Sequence, residues 1–335
     1  MKCFKAEVSD TEEGDDSDCR MPIVFCREYN VRFCGIERLV STNTAAAKGD
    51  RIFKKLCEVK FLTEETVHKV RKEIDRKSLV EVHTERYLRS LRWSLNVAKI
   101  TEVPILLFLP NFCVDRGYLR PMRFQTAGSL VAGDLALRHG WAINFGGGFH
   151  HCSGDRGGGF CAYADITLLI KRVLSGRISR VMIVDLDAHQ GNGHERDFMD
   201  DDRVFIMDMY NASIYPKDKE AKVAIRRKVE LTPFTEDQEY LQRLRRNLDA
   251  SLEEFPPEFI VYNAGTDILD GDPLGALSVS PEGVIQRDEE VFKRAIAAKI
   301  PIVMLLSGGY LPSAATVIAN SILNLSTKGL LPRRH

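Results

Sequence analysis

Short apolar runs alternate with amphipathic ones from Met21 to about Leu325. The runs Ile23–Cys26, Ile105–Leu109, Ala142–Phe145, Val181–Asp187, Val204–Asp208, Phe259–Asn263 and Ile302–Leu306 are rich in Val, Ile, Leu and Phe. Short unbroken runs of this kind read as strands buried on both faces. Between them, Glu64–Glu73, Glu85–Lys99, Thr126–Arg138, Ala164–Leu174, Glu236–Glu254, Pro281–Ala298 and Ser313–Leu325 predict helices. In the last, Val317, Ile318, Ile322 and Leu325 recur at helical spacing and read as core packing. Strands alternating with helices imply an α/β domain, a parallel sheet with helices on both faces. No repeat and no Pro-, Gly- or Ser-rich linker interrupts the pattern, so one domain over residues 21–327 is expected. Ser9–Asp18 (SDTEEGDDSD) is acidic and lacks apolar residues, so residues 1–20 read as a disordered tail. Residues 328–335 read as a short carboxyl-terminal tail.

The unusual polar residues sit where the predicted strands end. Gly146-Gly147-Gly148-Phe149-His150-His151 follows the run ending at Phe145. Asp185-Leu186-Asp187-Ala188-His189 closes another, and Asp208 the next. Asn263-Ala264-Gly265-Thr266-Asp267 and Ser307-Gly308-Gly309-Tyr310 follow two more. Open parallel sheets bind ligands outside the carboxyl ends of their strands. These distant segments are therefore expected to gather along one sheet edge.

On an extended strand, residues i and i+2 face the same way, which would converge Asp185, Asp187 and His189. Two carboxylates and an imidazole crowded together need a cation. Asp187, His189 and Asp267 are the candidate ligands, leaving a position open for chemistry. The oxygen-rich donor set suits zinc and leaves Fe(II) possible. A histidine of the His150-His151 pair would serve as general base on water and as acid on a leaving amine. Asp185 and Asn192 are the candidate partners for their other ring nitrogens. Tyr310 would donate to a developing oxyanion. The Gly157-Gly158-Gly159 run lacks the G-K-[ST] ending of a phosphate loop. Cys152 is the sequence neighbour of His151 and is expected to face away from it.

The chain has 335 residues and a formal net charge of zero, which argues against a broad surface for nucleic acid. No apolar run reaches the roughly 20 residues of a membrane span, and Met1–Cys19 lacks the core of a signal peptide. The eight cysteines include no C-x-x-C pair. They read as reduced thiols of a nuclear or cytosolic protein. The Arg226-Arg227-Lys228 cluster reads as a solvated helix face.

Four segments in order carry a more specific likeness: Asn144–Tyr163 (NFGGGFHHCSGDRGGGFCAY), Val184–Phe198 (VDLDAHQGNGHERDF), Tyr262–Asp267 (YNAGTD) and Ser307–Tyr310 (SGGY). With Leu109–Phe112 and Arg226–Leu231, they make the chain resemble the zinc-dependent histone deacetylases from about Pro22 to Leu325. Within that family it is most similar to the class IV branch (histone deacetylase 11-like). The resemblance implies an arginase–deacetylase fold with a central sheet of about eight parallel strands. It implies zinc-dependent hydrolysis of acyl groups from the ε-amine of lysine in histones or other proteins, in the nucleus and/or cytoplasm and within possible regulatory complexes. Long-chain fatty acyl groups are expected substrates beside acetyl.

Residue by residue, Asp187, His189 and Asp267 match the zinc ligands, and His151 matches the base and acid. His150, backed by Asp185, matches its electrostatic partner, and Tyr310 the carbonyl-polarising phenol. Phe160 and Tyr215 match the walls of the lysine tunnel, Gly159 a backbone acceptor near the substrate amide, and Asp185 part of a K⁺ site. Asn192 departs from the family, standing where many members carry aspartate. The stretch after Leu39 also departs, reading Val40-Ser41-Thr42-Asn43-Thr44-Ala45-Ala46-Ala47 in place of His-Pro-Phe-Asp. Two other readings share the scaffold: an amidohydrolase of small acetylated amines such as polyamines, and an acyl-lysine binder without turnover.

Overall fold

Seven parallel strands form one sheet in the order β1-β2-β7-β6-β3-β4-β5. They are β1 (Ile23–Val24), β2 (Trp141–Asn144), β3 (Val181–Asp185), β4 (Val204–Asn211), β5 (Arg227–Leu231), β6 (Phe259–Asn263) and β7 (Ile302–Leu305). The structure is a computed structural model that describes residues 20–32 and 47–332. The expected acidic tail, apart from Arg20, and the atypical stretch from Val40 to Ala46 lie outside the described residues, as do residues 333–335. The sheet has seven described strands against the eight or so expected.

The described residues form eleven α-helices: α1 (Lys48–Glu58), α2 (Arg76–Leu79), α3 (Glu85–Ser90), α4 (Ser94–Thr101), α5 (Asn111–Val114), α6 (Arg120–His139), α7 (Asp165–Leu174), α8 (Asn192–Asp197), α9 (Asp237–Glu254), α10 (Pro281–Ala297) and α11 (Ala314–Thr327). Local chemistry sets several boundaries. The hydroxyls of Thr84 and Ser280 accept from the amides of Tyr87 and Gly283 and cap α3 and α10. α6 stops at Gly140, whose φ of 86° a side chain would disfavour.

The strand order fixes where a site can form. The chain runs β1 to β2, jumps past two places to β3, and continues outward through β4 and β5. It then returns to fill the gap with β6 and β7. The loops after β2, β7, β6 and β3 thus lie side by side at the carboxyl edge, the place such sheets reserve for ligands. β2, β3, β6 and β7 are buried along their whole lengths, which rigidly anchors those loops. A second apolar cluster, built on Leu79, Leu88, Leu91, Val97, Ile100 and Leu106, supports the layer formed by α2 to α5.

Several expectations are corrected. Glu64–Glu73 is not helical. It runs beside β1, with the His68 amide donating to Ile23 O (2.8 Å) and the Phe25 amide to His68 O (3.1 Å). Pairing with a sheet edge outweighs its helical periodicity. Ile105–Leu109 is not a strand: Pro104–Phe108 is a 3₁₀ turn that buries only Leu106. Glu85–Lys99 divides into α3 and α4. β3 ends at Asp185, two residues before the expected limit, whereas β4 runs past Asp208 to Asn211. Arg227 and Lys228 belong to β5, an edge strand whose alternate residues are exposed, not to a helix face.

Candidate active site

β3 delivers the first group. Its last residue, Asp185, is buried, and its carboxylate accepts from every side. His150 Nδ1 lies 3.0 Å and His194 Nε2 2.8 Å from Oδ2, while the Asn263 amide (3.0 Å) and the Asp187 amide (3.2 Å) reach Oδ1. The expectation that Asp185 faces inward with Asp187 and His189 is therefore corrected: strand alternation stops at Asp185, and the loop turns the next carboxylate elsewhere.

Asp187 and His189 instead meet Asp267 from the loop after β6. His189 Nδ1 lies 3.1 Å from Asp187 Oδ1 and 2.9 Å from Asp267 Oδ2. Backbone amides hold the outer oxygens, Ala188 on Asp267 (2.9 Å) and Gly308 on Asp187 (2.9 Å). Burial and nearby Asp187 push Asp267 up to about 6. Burial also opposes ionisation of Asp187, but His150 and His189 outweigh it and hold that carboxyl low. Two buried carboxylates sharing one imidazole, with donor atoms within 4.8 Å of one another, suit a divalent cation. His150, Asp185 and His194 form a second close group, which hydrogen bonding within it accounts for.

The glycine loop after β2 presents the two histidines. Asp165, at the start of α7, accepts from the amides of Gly148 (2.9 Å) and Phe149 (2.8 Å) and fixes the turn. Gly148 has φ +81°, and a Cβ there would lie 2.4 Å from Asn263 Oδ1. Only glycine lets this loop sit against β6. The rings of His150 and His151 lie 4.1 Å apart, and that of His151 is 5.8 Å from His189.

The two histidines differ in their backing. Burial presses His150 down, but Asp187 and Asp185 outweigh it and lift it to about 9. His151 Nδ1 lies 2.9 Å from Asn192 Oδ1. Asn192 Nδ2 donates to Asp218 (3.2 Å), which Arg196 clamps at 2.6 Å. The amide oxygen facing His151 can only accept, so Nδ1 carries the proton and Nε2 keeps its lone pair. Burial, with His150 and His189 nearby, pushes His151 well below its ordinary value. Asn192→Asp is expected to stabilise the imidazolium and move the acidic limb of kcat/KM to higher pH. A pH–rate profile superimposable on that of the parent would reject this account of Asn192.

Tyr310 completes the ring of polar groups. Burial, with Asp267 and Asp187 close by, pushes its phenol well above the ordinary range, so it stays an O–H donor. Its amide donates to Asp272 (2.8 Å). Phe160 faces Tyr310 at 5.8 Å between ring centres, and Tyr215 stands edge-on to His151 at 5.0 Å. Gly159 has φ +49°, and a Cβ there would lie 2.3 Å from His151 Cδ2, so the wall touches the imidazole only because this residue is glycine. A cavity of about 150 Å³ runs behind these groups, with Tyr29, Gln125, Phe145 and Lys48 in its wall. Cys152 is buried against Tyr87 (Sγ to OH 3.9 Å), in the second apolar cluster.

Lys48, Asp165, His194, Asp218 and Asp272 carry the site but have no motif of their own. Lys48 Nζ donates to the carbonyls of Leu306 (3.1 Å), Ser307 (2.5 Å) and Gly308 (2.7 Å), holding the turn before Tyr310. Of these, only His194 had a visible signal, as a further histidine in the AHQGNGH run.

Comparison with known proteins bears on what such a site is for. The histone deacetylase domain matches residues 43–325. The chain belongs to the histone deacetylase family. Histone deacetylase 2 of Arabidopsis thaliana is 51% identical over 316 residues, covering 94% of this chain and 81% of that protein. A probable deacetylase of Archaeoglobus fulgidus is 28% identical over 262 residues, 72% of this chain and 68% of its own. The crystal structure of the HDA15 HD domain superposes with a TM-score of 0.73 at 18% identity, covering 94% of this chain and 89% of that one. That likeness shows the arginase–deacetylase α/β fold. As a histone deacetylase, the protein is a hydrolase acting on lysine amides. No helix among the described residues is long and apolar enough to cross a membrane.

Proposed function

We propose that this histone deacetylase is a zinc-dependent protein-lysine deacylase of the class IV branch, acting on acyl-lysine in histones or other proteins of the nucleus and/or cytoplasm. The observation that carries the reading is the pairing of His151 Nδ1 with an amide acceptor, which leaves the lone pair at Nε2 of a ring 5.8 Å from that of His189 and in the same cavity wall as Tyr310.

Zinc held by Asp187, His189 and Asp267 would supply Lewis acidity toward water and the acyl carbonyl, and Fe(II) would fit the same donors. His151 takes a proton at Nε2 from the attacking water and returns it to the leaving ε-amine. His150, kept cationic by Asp185 and Asp187, lends positive charge beside the developing anion. Tyr310 donates its phenolic proton to the oxyanion, a bond that strengthens as charge develops. Phe160 and Tyr215 flank the lysine stem, and Gly159 O accepts from the substrate amide. The cavity behind the site takes the acyl chain; long fatty acyl groups, which the family resemblance implies, would need it to widen beyond about 150 Å³. A K⁺ ion near Asp185 is part of this reading, as the family resemblance implies.

A turnover assay over acyl chain lengths on one lysine peptide tests the proposal. Treatment with a chelator should abolish hydrolysis, and added Zn²⁺ should restore it. Full turnover by metal-free protein would overturn the metal assignment. Preference for an acetylated polyamine in a parallel assay would favour the small-amine reading. Binding of the peptide without hydrolysis at saturating Zn²⁺ would favour a non-catalytic binder.

A further inference from the structure

α4, the 3₁₀ turn Pro104–Phe108 and α5 are tied together by side chains: Ser94 Oγ donates to Leu109 O (2.8 Å) and Asn111 Nδ2 to Leu91 O (3.1 Å). This unit buries Val97, Ile100 and Leu106 in the second apolar cluster. Its outer side is also apolar. Trp93, Phe108 and Phe112 are 70%, 78% and 73% exposed, and Leu95, Ile105 and Leu107 are exposed with them. Of the fourteen large apolar side chains exposed among the described residues, six fall in this one stretch. A concentration of that kind marks an interaction surface, whereas single exposed residues do not.

Charge indicates what it meets. A pocket of about 680 Å³ abuts the stretch, with Leu91, Arg92 and Asn111 in its wall. Six basic and three acidic side chains line it. Arg123 ties up two of the acids, Glu73 (2.7 Å) and Asp115 (2.8 Å). Arg71, Lys72, Arg92 and Arg120 remain exposed around it. In a chain of zero net charge, this local excess of cations beside aromatic residues is a built asymmetry.

We propose that this face docks on an anionic phospholipid surface. Trp93, Phe108 and Phe112 enter the boundary between headgroups and acyl chains, and the Arg/Lys pocket takes lipid phosphates. Interfacial segments combine these same two ingredients, an apolar aromatic side and adjacent cations drawn to anionic lipid. Thr101 and Val103, at the junction of α4 and the 3₁₀ turn, border the cavity of the active site. Docking would therefore set the active site near the lipid surface. Binding is measurable without turnover, so this inference and the deacylase reading fail independently.

The full chain is to be sedimented with vesicles of phosphatidylcholine alone and of phosphatidylcholine mixed with phosphatidylserine. Binding to the mixed vesicles alone is expected, with a blue shift of tryptophan emission, because Trp93 is exposed and the second tryptophan, Trp141, is already buried. The paired substitution Phe108→Asp/Phe112→Asp and, separately, Arg92→Glu/Arg120→Glu should each weaken binding by about tenfold or more. All four positions are exposed, and unchanged thermal unfolding would show that the variants fold. Equal binding to both vesicle types, full binding by the variants, or no sedimentation would overturn the proposal. So would a Trp93 emission that is already blue and unmoved by vesicles, which would mean that this chain, a second copy or a protein partner covers this face.

Discussion

Replacing His151 by alanine is expected to lower kcat/KM for acyl-lysine hydrolysis by about 10²–10⁴, across the whole pH range. The argument rests on tautomer and position. Asn192 presents only an oxygen to Nδ1, so the free lone pair of His151 lies at Nε2, in a ring 5.8 Å from that of His189. Burial and two neighbouring imidazoles keep that nitrogen unprotonated. His150 is held at Nδ1 by Asp185 and has two carboxylates against it that lift it to about 9, so it is the weaker candidate for taking a proton from water. His150→Ala should therefore retain more activity than His151→Ala. Metal content measured on both variants separates loss of the base from loss of the ion. An inactive His150→Ala beside an active His151→Ala would exchange the two roles.

Tyr310→Phe is expected to reduce kcat by about 10²–10³ while KM changes little, because the phenolic hydrogen bond matters most as the oxyanion forms. The ring would remain packed against Phe160, and the backbone amide would still donate to Asp272. Metal stoichiometry and unfolding should match the parent, since the proposed ligands are Asp187, His189 and Asp267. Near-parental turnover would reject the oxyanion role.

The residues that converge on the site were legible for a physical reason. β2, β3, β6 and β7 are buried on both faces, so their sequences are unbroken apolar runs, and an aspartate, histidine or glycine at their ends stands out. The family match, over residues 43–325, spans the same segments. What escaped lies where local pattern and tertiary demand part. β5 is an edge strand with charged alternate residues, and read locally it looks like a solvated helix. Pro104–Phe108 is as apolar as a core strand yet leaves most of its side chains in solvent, because it is a surface turn. Lys48 and Asp165 reach backbone groups 258 and 17 residues away, and no spacing along the chain encodes such bonds.

Asp185 gives this candidate site an indivisible character. One carboxylate joins the turn after β2, its own strand, the end of β6 and the start of α8, through His150, the Asp187 amide, Asn263 and His194. A designer hoping to transplant the chemistry could not lift a motif or a pair of loops onto a foreign scaffold. The central strands would have to travel with it, and the freedom to remodel this enzyme by exchange of parts is confined to its rim.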